Sequence, residues 1–326
     1  DLRQVFREPV AVDQLQGIVR LRAETDGWQI ESDSLKVKNP DARGHALLRL
    51  DIPRDTRISP HLSLLARLTD AKVASVWRYV PWQPAGDGAL AWLRHALVAG
   101  TVTQGDFLVE GLIHHEKEDE HSLRQLMRFE LKEAGLDYSP GWPALSALDG
   151  VVTIDGRHLR VEASRARLLD GTVAHDVRAD IPDLRQARLA VSGEVQSTGP
   201  DLMRLFRESP LRTHTASVAE AIQLEGGLSG HLVLDIPVSH HLPPATHVEV
   251  TTQLTGNRLV LPKQGLVADG LQGQVRFSTR EGLIAESLQG RLLGAPVQAR
   301  ISSTVRGDTL QLVQVDLDGL VTATSL

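Results

Sequence analysis

Residues 138–183 read YSPGWPALSALDGVVTIDGRHLRVEASRARLLDGTVAHDVRADIPD. Apolar and polar residues alternate along three runs of this segment, and the pairs Asp155-Gly156 and Asp170-Gly171 separate the runs. Alternation with a period of two is typical of a sheet with one apolar face and one solvated face. Asp-Gly pairs favour tight hairpin turns. The segment therefore predicts an antiparallel meander.

The same pattern recurs on both sides of this segment, in residues 12–53 and from Leu224 almost to the end of the chain. Two short strings repeat with it, at irregular spacing. The first, L-x-G-x-V, occurs at residues 15–19, 148–152 and 271–275, and the second, D-I-P, occurs at residues 51–53, 180–182 and 235–237. A proline that closes a strand removes a hydrogen-bond donor from the ladder. These recurrences indicate a loose repeat of meanders rather than a strict array.

Helical inserts interrupt the strands. Ser59-Pro60 has the form of a helix start, and Leu62, Leu65 and Leu68 follow at helical spacing. A second helix is predicted over Ala89–Val98 with Gly100 as its C-cap, and a third insert over residues 201–221 with a break at Pro210. The predicted division is a first meander (1–55), a helical insert (56–105), a central meander (106–199), a helical insert (200–222) and a C-terminal meander (223–326).

Composition limits the function. The 326 residues are 41% hydrophobic but only 4% aromatic, and the net charge is −6. An acidic chain has no global field that attracts nucleic acid, so no nucleic-acid partner is expected. Cysteine is absent, and no run approaches the ~18 apolar residues of a membrane helix. The chain starts without Met and stops inside a predicted strand, so we take it as a fragment of a longer protein.

The predicted sheet has more apolar surface than its helices can cover. Three short inserts are too few for this many strands, and a mostly aliphatic surface suits alkyl chains, which need area rather than directional contacts. Burial contributes about 0.8 kcal/mol per CH₂ group. The alternative is a plain β-sandwich that covers its own apolar face. The residues predicted to line a lipid groove are Val19, Leu21, Trp28, Ile30, Leu48, Leu50, Val152, Ile154, Leu159, Val161, Val173, Val177, Leu232, Leu234, Val248, Val250, Val275, Phe277, Val297 and Ile301.

Other candidate sites are weaker. His114, His115 and His121 lie among acidic residues, but no further ligand follows at zinc spacing, and His240-His241 reads as a loop. Asp316 and Asp318 resemble a calcium pair only faintly. We therefore predict no metal site, no cofactor and no catalytic residue, since no G-x-S-x-G, P-loop or G-x-G-x-x-G motif is present.

Two further features have an interfacial alternative. Trp142 could stack on a sugar ring or lie at a lipid interface, but packing over the Pro140-Gly141 turn is simpler. The insert that carries Leu202, Leu205 and Phe206 is flanked by Arg204 and Arg207 and could touch a membrane. Covering the sheet or the groove edge is the simpler interpretation.

The string LDYSPGWP at residues 136–143, followed by Leu148-Asp149-Gly150, resembles the YhdP branch of the AsmA-like bacterial envelope proteins. AWLRHAL at residues 91–97 and RESPL at residues 207–211 match the same branch. The resemblance implies an elongated, twisted antiparallel β-sheet groove with a few short helices, of the bridge-like lipid-transfer type.

It also implies an inner-membrane anchor outside this fragment, a periplasmic location, phospholipid as the ligand and possible periplasmic or outer-membrane protein partners. A structural scaffold in envelope assembly is the second hypothesis. We do not expect an enzyme.

Overall fold

The computed structural model describes residues 8, 12–80, 82–113, 123–186, 188–237, 246–306 and 309–319. Its eighteen strands belong to one antiparallel sheet, and the helices are few and short. The prediction of a mainly β, antiparallel fold is confirmed. The chain divides into two compact units: unit 1 is residues 1–138 with 146–162, and unit 2 is residues 139–145 with 163–326.

Unit 1 is a meander with one helical excursion. Its strands β3 to β7 each pair with the next, and β1 and β2 both pair with β3. The elements are β1 (Gln14–Gln16), β2 (Arg20–Glu24), β3 (Gly27–Lys38), β4 (Arg43–Pro53), β5 (His61–Lys72), a 3₁₀ helix (Val73–Tyr79), α1 (Trp82–Ala96), β6 (Leu97–Leu112), β7 (Leu123–Leu136), β8 (Leu145–Asp155) and β9 (His158–Leu169), whose second half belongs to unit 2.

The helix predicted after Ser59-Pro60 is wrong, because this segment is strand β5. Leu62, Leu65 and Leu68 are spaced as on a helix, but Leu64 and Ala66 complete an equally good alternating pattern. β5 pairs along almost its whole length with β4 on one side and β6 on the other. Strand pairing on both sides overrides a local pattern that is compatible with either structure.

The second predicted helix exists as α1, but it begins earlier and ends at Ala96. Gly100, expected as its C-cap, lies inside β6 with a φ of 101°. A Cβ at this position would lie 2.5 Å from Ala134 Cα on β7, so glycine permits both the backbone angle and the close strand approach.

The 3₁₀ helix is tied to the β3–β4 turn through Asp41. The Asp41 carboxylate accepts hydrogen bonds from Ser75 Oγ and Tyr79 Oη, each at 2.9 Å. Burial alone would raise the pKa of Asp41, but these two hydrogen bonds and the charges of Arg78 and Lys72 outweigh it and lower that pKa. Burial, followed by the hydrogen bond to Asp41 and then the Asp41 charge, raises the pKa of Tyr79 to about 12.

Unit 2 continues the meander, and its strands pair in order except that β11 pairs with β13 and the short β12 pairs with β14. The elements are β10 (Thr172–Ile181), a 3₁₀ helix (Leu184–Gln186), β11 (Arg188–Thr198), α2 (Gly199–Glu208), α3 (Arg212–Ala221), β12 (Gln223–Glu225), β13 (Gly227–Pro237), β14 (His247–Leu261), β15 (Leu266–Ser278), β16 (Gly282–Leu292), β17 (Ala295–Arg306) and β18 (Thr309–Gly319).

Several local predictions are confirmed in these elements. The Asp-Gly pairs at 155–156 and 170–171 lie at the β8–β9 and β9–β10 turns, and the helical insert breaks between α2 and α3 at Pro210. β4, β10 and β13 end at the D-I-P strings. The L-x-G-x-V strings are less uniform: two lie inside β8 and β15, whereas Gly17 falls between β1 and β2.

Candidate functional site

The unit 2 strands share one apolar face. Residues directly opposite each other on antiparallel strands have side chains on the same face. Leu232 lies opposite Val250, and Val250 lies opposite Phe277. The same pairing and alternation bring together nine of the predicted lining residues: Val177, Leu232, Leu234, Val248, Val250, Val275, Phe277, Val297 and Ile301.

Val173 was predicted on this face but lies on the opposite one. It pairs with Gln196, a polar-face residue of β11. Between His175 and Arg178 the register shifts, because two residues of β10 face the single residue Gly193. Asp176 has a φ of 50° at this bulge, and the extra residue reverses the alternation beyond it.

Unit 1 has a corresponding apolar face. Trp28 lies opposite Ile52, and Ile30 lies between Leu21 and Leu50. Leu48 lies on the same face. Of the predicted set, Val19 precedes β2 rather than lying in it and is 61% exposed, close to the 62% of Leu21.

The four lining residues predicted on β8 and β9 lie next to a two-residue turn. Val152 and Ile154 alternate on β8, and Leu159 and Val161 alternate on β9. A two-residue loop places Ile154 opposite Leu159 and Val152 opposite Val161. All four are half-buried.

The predicted lining set omits the central strands of the unit 1 face. Leu62, Leu64 and Leu68 of β5 lie on it, as do Val109 and Phe107 of β6 and Met127 and Phe129 of β7. Phe107 and Phe129 are in edge-to-face contact, with ring centroids 5.1 Å apart. The alternation of residues 62–68 indicates a strand with these leucines on one face, but the same residues were assigned to a helix.

The opposite face of each unit carries ion pairs across the strands. Arg67 Nε lies 2.5 Å from Asp106 Oδ1 in unit 1, and Arg188 Nε lies 2.6 Å from Asp235 Oδ1 in unit 2. The hydrogen bond from Arg67, and then the one from Gln104, lowers the pKa of Asp106. Such exposed pairs contribute little stability, but they identify the solvated side of the sheet.

One apolar row interrupts the polar face of unit 1. Leu47 lies opposite Leu65, Leu65 opposite Leu108, and Leu108 opposite Leu126. Leu47 and Leu65 are 46% and 50% exposed. These leucines have their side chains on the face opposite Leu48 and Leu50, so they offer matched controls for the apolar face.

Helix α2 covers part of the unit 2 apolar face. Leu202 packs against a covered cluster of Leu228, Leu254, Leu271, Ala285 and Leu288, each at most 9% exposed. Helix α3, which packs against α2, contacts β18. The insert around Leu202 therefore covers the sheet, as the simpler interpretation of the sequence expected. Arg204 on its outer side pairs with Glu208 at 2.8 Å.

Outside this cluster, most of the same face is only partly shielded, although Val248, opposite Leu234, is 8% exposed and therefore buried. Leu232, Leu234, Ile236, Val250, Phe277 and Leu283 are half-buried by their neighbours in the sheet. Burial of this degree is what neighbouring side chains within one sheet produce, whereas a second packed layer would seal them. A face of this kind can accept hydrocarbon.

The remaining candidate sites are the histidine groups and the Asp316–Asp318 pair. His114, His115, His121, His240 and His241 lie outside the described residues. Asp316 and Asp318 lie within β18, opposite Arg300 and Gln298. Among the described residues, no group of three or more His, Cys, Asp or Glu side chains could hold a metal ion.

Trp142 ends a turn in which its backbone N–H donates to Ser139 O at 3.2 Å. The preceding Gly141 faces the connection between α2 and α3: a Cβ on it would lie 3.7 Å from Pro210 Cγ. Within the described residues, no helix has the length and apolar character needed to span a membrane.

The family model described as YhdP protein matches residues 1–326. The chain belongs to the YhdP family. A curated relative, the intermembrane phospholipid transporter YhdP of Escherichia coli (strain K12), is 25% identical over 277 residues, which are 84% of this chain and 21% of the relative. The chain thus spans about a fifth of that relative's length. No solved structure matches it significantly.

Proposed function

We propose that this chain is a segment of a periplasmic hydrophobic groove that carries phospholipid acyl chains between the inner and outer membranes. The observation that carries the proposal is the pair of half-exposed aliphatic faces, each backed by a face of cross-strand ion pairs. The family match and the name of the Escherichia coli relative support it.

The groove acts passively. Alkyl chains lie on the aliphatic faces, and burial of each CH₂ contributes about 0.8 kcal/mol. Headgroups stay in solvent, since burying an unpaired charge on an aliphatic wall is costly. An inner-membrane anchor and periplasmic or outer-membrane protein partners belong to the same proposal.

The test compares bound lipid in the purified chain and in two variants. Native mass spectrometry after gentle purification from a Gram-negative host should detect copurifying phospholipid. Leu50→Asp places a charge on the apolar face and should remove most of that lipid, whereas Leu47→Asp, on the opposite face of the same strand, should retain it. Circular dichroism checks the fold of both.

Absence of phospholipid from the wild-type chain, or equal loss in the two variants, would contradict the groove. The scaffold hypothesis makes a different prediction. A wall that serves as ordinary core should unfold when Leu50 becomes Asp, and crosslinking should capture a protein partner in place of lipid.

A further inference from the structure

Helix α2 divides the apolar face of unit 2 into two parts of different accessibility. The covered cluster lies under Leu202, while an open strip consists of Leu232, Leu234, Ile236, Val250, Phe277 and Leu283. Both parts belong to the same face of the same strands. On β13 the covered Leu228 and the open Leu234 are six residues apart, which is about 20 Å along a strand.

The start of α2 is held by polar contacts. Thr198 Oγ1 accepts a hydrogen bond from Asp201 N at 3.2 Å and caps the helix. Asp201 Oδ2 accepts from Gly171 N at 2.7 Å and from Thr172 Oγ1 at 3.1 Å, which fixes the helix to the β9–β10 turn.

The helix also abuts β12 closely. Gly199 N donates to Gly226 O at 2.9 Å, and a Cβ on Gly199 would lie 2.1 Å from Leu224 O. At the other end, the Pro210 ring lies against Gly141 of the turn before Trp142. A helix attached at its start, along its side and at its exit is a fixed part of unit 2 and not a segment that a ligand displaces.

We infer that phospholipid acyl chains contact only the open strip of unit 2, and that Leu202 permanently occupies the place of hydrocarbon over the covered cluster. This inference rests on the proposed function and restricts it to a specific surface. Val275 and Ile301, which pack against the cluster, then lie at the border of the lipid path.

A photo-crosslinking experiment tests the inference. Benzoylphenylalanine is placed at Leu234 or Phe277 in the open strip, at Leu228 or Leu271 in the covered cluster, and at Val233 on the opposite face as the background. The full-length YhdP-family protein that contains this chain is irradiated with vesicles of phosphatidylethanolamine and phosphatidylglycerol. We expect phospholipid adducts at the open strip several-fold above the Val233 background, and background levels at the cluster, where adducts form with α2.

Adducts at Leu228 or Leu271 that equal those at Leu234 would overturn the inference while supporting the groove. Background levels at every position would overturn the proposed function itself. The two failures are therefore distinguishable.

A measurement on the unmodified protein covers the case in which the bulky label disturbs the cluster. Hydrogen exchange of residues 199–208 should be the same with and without the vesicles. Faster exchange of α2 on lipid loading would show that lipid displaces the helix, and would overturn the inference.

Shortening the Leu202 side chain tests whether that residue keeps lipid away from the covered cluster. Leu202→Ala should open the covered cluster and raise lipid adducts at Leu271 several-fold. Leu205→Ala, on the same helix but outside the cluster, should leave them at background. An unchanged adduct level in Leu202→Ala would contradict the role assigned to Leu202.

Discussion

Val173 and Val177 lie four positions apart on β10, yet their side chains lie on opposite faces of the sheet. Val173 pairs with Gln196, whereas Val177 lies beside Gly193, where a Cβ would be 3.0 Å from Val177 Cγ2. The bulge at Asp176 separates them. Simple alternation would place both on one face.

This relationship gives the most discriminating test of the apolar face. Val177→Asp should reduce copurifying phospholipid, because it places a carboxylate among aliphatic side chains. Val173→Asp should retain it, because the charge lies on the solvated face. Native mass spectrometry reads the result, and equal lipid loss in the two variants would show that the faces are wrongly assigned.

The bulge itself can be tested through Asp176. A φ of 50° suits glycine and is unfavourable for a β-branched side chain. We expect Asp176→Val to destabilise unit 2 by about 1–2 kcal/mol, and Asp176→Gly to be close to neutral. Urea unfolding measures both, and equal stability of the two variants would argue against the left-handed conformation.

Two glycines should respond in opposite directions to the same change. Gly199→Ala forces a methyl group against Leu224 O and should cost about 1–3 kcal/mol. Gly88→Ala, in α1, places its methyl where no atom lies within 4 Å and should stabilise by about 0.4–1 kcal/mol. Thermal unfolding compares them, and a tolerated Gly199→Ala would contradict the close contact of α2 with β12.

Acid should weaken the attachment of the 3₁₀ helix in unit 1. The pKa of Asp41 is lowered from 3.8 in the folded state, so its stabilising contribution is fully present above that value. The contribution is lost as pH falls through the lowered folded pKa. At neutral pH, Asp41→Asn should cost about 1–3 kcal/mol.

Unfolding of the wild type and Asp41→Asn from pH 7 to pH 3 checks this prediction. The stability gap between them should narrow at the acid end. Asp26→Asn, in the exposed β2–β3 turn, controls for the change in net charge. A gap that stays constant over the whole range would contradict the role of the Asp41 charge.

The class of the fold and several strand ends could be predicted because they depend on local chemistry. Asp-Gly pairs set two hairpin turns, and prolines set strand ends and the break between α2 and α3. Most bulges could not be predicted, because no particular residue type marks the extra residue of a strand.

One bulge did leave a signal. In β3 the apolar positions change from even, at Trp28 and Ile30, to odd, at Leu35 and Val37, and the register shifts between Ser32 and Leu35. The sequence of β10 suggests no bulge, because Val173 and Val177 are an even number of positions apart and would share a face under simple alternation. The sequence of β5 is ambiguous for another reason. Its leucines fit both helical spacing and strand alternation, and only pairing with the flanking strands favours the strand.

The left-handed residues inside strands have an evolutionary consequence. Hydrocarbon has no directional preference, so one aliphatic side chain can replace another on the wall without altering what the wall accepts. A misplaced bulge would instead move every later side chain of its strand to the other face of the sheet. We therefore expect Glu133 and Asp176, which have positive φ at register shifts within their strands, to mark where substitution and insertion are least tolerated as such sequences drift apart.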